Sequence, residues 1–256
     1  MATIAETRSK FSPDTGFFLI MAIVMATINV IAFSFFALMG ISSFGAPLYV
    51  HVHAVVFFGW VAIYTTQNVL AATGATALHR RLGWLAAAWT LLMLVVGTLT
   101  TVWTTQRGLV PFFFTPTYFL MMNPITAFTF VGLVMAGVAV RTNTGWHRRL
   151  IYCGMATIMG PAFGRLLPPP LLESGAAMLV IIALLVMFPV IGAVRDRIKY
   201  RRVHPAWLVG VAVQLAMFAT IELLADSAIG VAIHDAVVEG TPGATKPALE
   251  KGVFPG

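Results

Sequence analysis

Three of the six histidines stand in basic surroundings that repeat along the chain: L-H-R-R-L-G-W around His79, W-H-R-R-L-I-Y around His147 and R-R-V-H-P-A-W around His204. If these segments converge, three imidazoles with an open fourth position suit zinc or a comparable divalent metal ion. Two of them could instead hold the iron of haem b axially, with Arg80, Arg81, Arg148 or Arg149 pairing with its propionates. A plainer account leaves all three at helix starts, level with lipid or quinone headgroups, where the arginines only anchor the fold; His204 before Pro205 suits it, since proline favours a first helical turn. A second polar set combines His51, His53, Gln67, Arg165, Glu222 and Asp226. Glu222 and Asp226 are four apart and share a helix face. Arg165 and Glu222 fall at matching depths in their apolar segments, which predicts an ion pair from Arg165 to Glu222 or Asp226. With His53, such a set could form a proton path or a cation site. His51 and His53 diverge by about 200° on a helix and cannot both face one iron.

The elements that position these residues are membrane helices. The chain of 256 residues is 59% hydrophobic and only 10% charged, with a mean hydropathy of +0.90, against roughly 25% charged residues in soluble domains. Apolar runs predict seven spans, near 17–40, 50–72, 82–104, 117–140, 148–168, 175–194 and 205–226. Gly160-Pro161 should kink the fifth, because proline removes a backbone donor. In the second, His53, Trp60 and Gln67 recur every seven residues and share one stripe, which should face other helices. Asn29, Gln67, Asn68, Asn123 and Gln214 are expected to make interhelical hydrogen bonds. The fold class is an all-α polytopic membrane protein, a seven-helix bundle of one helix plus three helical hairpins, each hairpin carrying one copy of the basic histidine motif. Residues 1–16 form an N-terminal segment, 17–226 the transmembrane domain, and 227–256 a tail expected to fray.

Twelve of the sixteen Lys and Arg residues fall on the side of the N-terminus and of the turns near 73–81, 141–149 and 195–204; only Arg107, Arg165, Lys246 and Lys251 fall on the other. The positive-inside rule then places the N-terminus in the cytoplasm of a bacterium and the C-terminus outside its inner membrane. The same placement argues against nucleic acid as a partner, despite a formal charge of +7, since the cations sit at helix ends beside lipid headgroups. The lone Cys153 excludes an internal disulfide and reads as a packed thiol. The segment before Phe17 lacks the features of a cleavable signal.

No H-E-x-x-H, G-x-S-x-G or P-loop appears. The layout is similar to membrane hydrolases of the adiponectin-receptor and alkaline-ceramidase type in topology alone, since their H-x-x-x-H element is missing. H-A-V-V-F-F-G-W-V-A-I-Y-T-T-Q, L-H-R-R-L-G-W, W-H-R-R-L and R-V-H-P together resemble a group of uncharacterised bacterial multi-pass membrane proteins with helix-end histidines, over about residues 50–210. That resemblance implies a fold and no activity; a distant analogy to membrane b-type cytochromes rests on the helix-end histidines. Three functions stay open. They are a redox-linked role with haem b or a metal ion at His79, His147 and His204, a proton-coupled carrier using the second polar set, and a non-catalytic assembly subunit. The bilayer is the implied partner, with a second copy of the chain or a membrane redox protein as candidates.

Overall fold

The computed structural model describes residues 13–42, 44–173 and 176–252, and these are helical with short connections. Ten α-helices follow one another: α1 Pro13–Leu38, α2 Leu48–Thr73, α3 Thr76–Gln106, α4 Pro116–Ala139, α5 Thr144–Thr157, α6 Gly160–Leu166, α7 Pro169–Glu173, α8 Ala176–Tyr200, α9 Pro205–Ala225 and α10 Ala228–Val238. Arg8 and Lys10 lie outside the described residues.

Local chemistry sets the boundaries. Thr115 and Asn143 cap α4 and α5 by accepting the amides of Tyr118 and Trp146. Gly74, at φ 78°, ends α2 in the left-handed conformation that a Cβ would penalise, and its N–H returns to the Leu70 carbonyl. Prolines inside α4 and α8, Pro124 and Pro189, leave those helices continuous.

Six helices, α1, α2, α3, α4, α8 and α9, are long and apolar enough to cross a membrane. Their outward surfaces carry exposed large apolar side chains, among them Ile20, Val95, Leu179, Leu208 and Leu223. Such a surface is unsustainable in water and ordinary against lipid, so the chain is an integral membrane protein. The remaining expected span, 148–168, is two helices instead of one. Pro161 has no N–H to continue the ladder, so α5 stops at Thr157 and α6 restarts at Gly160. Together the two follow α1. Arg148 lies over the Phe18 ring at 5.0 Å, and Arg165 lies over the Phe33 ring at 4.0 Å. Fifteen residues of α1 separate those rings, a rise of about 22 Å.

α5 occupies the centre, packed against α1, α4, α8 and α9. Eight of its residues from Arg149 to Thr157 are buried, which accounts for its weaker apolar character: its neighbours are protein. Cys153 is wholly buried there, and a Cβ on Gly210 of α9 would meet its Sγ at 2.2 Å, so glycine permits the α5–α9 approach.

The tail departs from expectation. α10 and the 3-10 turn Pro242–Thr245 fold back over the α3–α4 end, where Gln106 donates to the Val237 carbonyl at 3.0 Å and Thr117 donates to Ala248. Polar composition suggested fraying, but these backbone acceptors fix the segment.

Candidate functional site

Histidines 79 and 147 occupy equivalent places in two hairpins. Each is the fourth residue of the second helix, α3 or α5. Each uses its ring to tie that helix to the one before it. His79 Nδ1 lies 3.3 Å from the Gln67 carbonyl of α2, and His147 Nδ1 lies 2.8 Å from the Gly137 carbonyl of α4. A carbonyl only accepts, so both rings carry their proton on Nδ1 and keep the Nε2 lone pair. Neither Nε2 is hydrogen-bonded among the described residues. Gln67 completes the first link by donating to the His79 carbonyl at 3.1 Å.

Because α3 packs against α4, the two hairpins bring these rings together, with centroids 6.2 Å apart and planes at 88°. The third histidine does not join them. His204 is the N-cap of α9, where its Nδ1 accepts the Ala206 amide at 3.2 Å, and its ring stands edge-on to Trp146 at 5.5 Å. Its Nδ1 is therefore unprotonated, the tautomer opposite to that of the other two. Burial, with the nearby Arg149 charge, holds this imidazole below its ordinary pKa. The expected three-imidazole convergence thus reduces to a pair. The physical reason is Pro205, which starts α9 one residue later and turns His204 into a cap. Among the described residues no three His, Cys, Asp or Glu side chains gather as metal ligands.

The arginines divide. Arg149 is buried, and its Nε and Nη2 donate to Asp196 Oδ2 at 3.0 and 2.7 Å, while Trp207 Nε1 donates to the same oxygen at 2.8 Å. Arg148 pairs with Asp14 at 2.6 Å, and Asp14 also binds Arg195, Lys199 and Tyr200. Arg80 and Arg81 are exposed and have no carboxylate partner among the described residues. Asp14 and Asp196 do not figure in the expected site. Their signal was present, as isolated acids inside the most basic part of the chain.

At the far end the polar set does not assemble as expected. Arg165 forms no ion pair with Glu222 or Asp226: its Nη1 donates to the Pro161 carbonyl at 2.9 Å, and its guanidinium lies over Phe33 and Phe36. Glu222 instead accepts from the Tyr118 hydroxyl at 2.8 Å, and Asp226 is the C-cap of α9. Matching depth did not guarantee matching direction. α6 packs on α1 and α8, whereas Glu222 is turned toward α4. His53 stacks on Phe57 at 4.1 Å with its Nδ1 buried and unpartnered, and His51 contacts the Phe44 carbonyl through Nε2 at 3.2 Å. The stripe of His53, Trp60 and Gln67 does face inward, with one buried unpartnered polar atom on each residue. Of the five mid-helix amides, Gln67 and Gln214 bond between helices, while Asn29, Asn68 and Asn123 return to carbonyls of their own helix.

No protein-family model, curated protein or solved structure matches the chain. Its function is therefore argued from these sites.

Proposed function

We propose that the protein is a seven-crossing bacterial inner-membrane protein that holds haem b between His79 and His147 in a redox-linked role. The N-terminus is cytoplasmic, the C-terminus is outside, and α5 with α6 makes the seventh crossing. The observation that carries the assignment is the meeting of two imidazoles from duplicated motifs, each with Nδ1 fixed by a carbonyl. Such a hydrogen bond orients a ligating histidine and raises the basicity of its other nitrogen.

Ligand number favours haem over a bare ion. A zinc site draws three or four ligands from the protein, whereas haem supplies four nitrogens of its own and asks for two axial histidines. Imidazoles bind metals at about 2 Å, and the ring centre lies roughly 1 Å further, so two rings on one iron have centroids about 6 Å apart. The observed 6.2 Å is of that size. Arg80 and Arg81 are the available propionate partners, because Arg148 and Arg149 are already engaged by carboxylates. Haem would supply one-electron exchange; the chain's part is to orient the two imidazoles and to present positive charge to the propionates. The dispersal of Arg165, Glu222 and Asp226 removes the set on which the proton-coupled carrier depended.

An optical spectrum of detergent-purified protein tests this. The expected result is a Soret band with about one haem per chain, lost in His79→Ala and in His147→Ala but kept in His204→Asn. Protein purified from haem-replete cells that shows no Soret band, or retains it in both alanine variants, refutes the assignment and favours an assembly subunit.

A further inference from the structure

At the other end of the bundle, Arg165 is a cation without an anion. Among the described residues no carboxylate lies within ion-pair distance, and the Arg165 Nε is buried without a hydrogen-bond partner. The Pro161 carbonyl takes Nη1 and so leaves the edge formed by Nε and Nη2. That edge is the fork with which arginine grips a carboxylate or phosphate through two parallel hydrogen bonds. The Phe33 and Phe36 rings, 4.0 and 5.3 Å from the guanidinium carbon, supply attraction through their faces. They cannot accept the N–H bonds in the guanidinium plane. His53 adds a second unpartnered polar atom, its buried Nδ1, and its ring lies within reach of the Arg165 charge. α6 brings the arginine, α2 the histidine and α1 the phenyl rings, and the break at Gly160-Pro161 lets α6 leave the line of α5.

We propose that Arg165 and His53 form an oxyanion-binding site between α1, α2 and α6, which takes a carboxylate or phosphate group. An isolated cation at membrane depth is costly and marks function, and a discontinuous helix is where membrane proteins commonly place such sites. The site is separate from the His79–His147 pair and does not depend on haem. Two sources carry the chemistry: the headgroup phosphate of an anionic lipid, and a soluble oxyanion reaching the outer face.

The full chain in neutral detergent is titrated with phosphatidylglycerol in mixed micelles and, separately, with inorganic phosphate. Bound probe is read by native mass spectrometry and thermal stabilisation. Wild type should bind at least one probe saturably, and Arg165→Lys, which keeps the charge and loses the fork, should bind about tenfold or more weakly. Arg107→Gln removes another cation at the same end, one that lies over Tyr49 at 5.0 Å, and should bind as wild type. Binding of phosphatidylglycerol alone identifies a lipid site, and binding of phosphate identifies a soluble ligand. Binding of neither, or equal binding by wild type and Arg165→Lys, overturns the proposal. Should Arg165→Gln fail to fold, Arg165→Lys and His53→Gln still decide it.

Discussion

Replacing Asp196 with asparagine should destabilise the bundle more than any other single change at its basic end. Asp196 is 1% exposed and Arg149 3%. One carboxylate oxygen accepts from Arg149 Nε, Arg149 Nη2 and Trp207 Nε1. Asparagine is nearly isosteric, so packing is preserved while Arg149 is left buried without its countercharge. Removing one partner of a buried pair costs about 3–5 kcal/mol. In a chain of this size that corresponds to a fall of roughly 6–20 °C in unfolding temperature. The single cysteine provides the assay. Cys153 is buried in α5, so a fluorogenic thiol reagent reports its exposure as the detergent-solubilised protein is heated. Asp14→Asn is the contrast, because Asp14 meets three cations at partly exposed positions, where a pair contributes about 0–1 kcal/mol. The double variant Arg149→Met/Asp196→Leu removes both charges and should unfold above Asp196→Asn. If Asp196→Asn melts with wild type, or the double variant melts below it, the buried pair does not hold the bundle as argued.

Two further changes probe the packing and the third histidine. Gly210→Ala places a methyl group against Cys153 Sγ and should cost about 1–3 kcal/mol, with earlier thiol labelling on heating; unchanged labelling would show that α5 and α9 are not in close contact. His204 has a folded pKa below the model value of 6.5 and caps α9 through an unprotonated Nδ1. Its stabilisation is therefore complete above that value and is lost as pH falls through the folded pKa, in surroundings set by Arg148, Arg149, Arg202 and Asp196. His204→Asn keeps a capping oxygen, so the stability difference from wild type should shrink or reverse between pH 7 and 5, measured by the same labelling.

The sequence made the helices legible because hydropathy alone decides where lipid-facing segments run. It also located the one weak span, since Gly160-Pro161 states a backbone break without reference to anything distant. Direction around a helix was harder to read. Arg165 and Glu222 agree in depth, yet the break re-aims α6, and no residue near Arg165 signals that Phe33 lies under it. Asp14 and Asp196 were overlooked for a related reason. The basic residues were weighed by their number on one side of the membrane, which sets topology, and the few acids among them did not alter that balance. Packing reverses the weighting, because α5 is central and its arginines must find carboxylates there.

The duplicated motif shows how equal sequences acquire unequal work. Arg81 and Arg149 follow their histidines by the same two residues, and His79 and His147 make the same carbonyl bond to the helix before. What separates the copies is the neighbour across the interface. α8 presents Asp196 to α5, so the second copy's arginine is spent inside the bundle, while α3 lies toward the edge and leaves Arg80 and Arg81 exposed. The third copy loses its ligating tautomer to a helix cap. Under the proposed haem reading, this asymmetry requires Arg80 and Arg81, rather than Arg148 and Arg149, to govern the response to propionate charge. Arg80→Gln/Arg81→Gln should therefore keep the Soret band while lowering the haem midpoint potential or haem retention, because positive charge near a haem favours the reduced state. A redox titration with no change in either quantity would locate the propionates elsewhere.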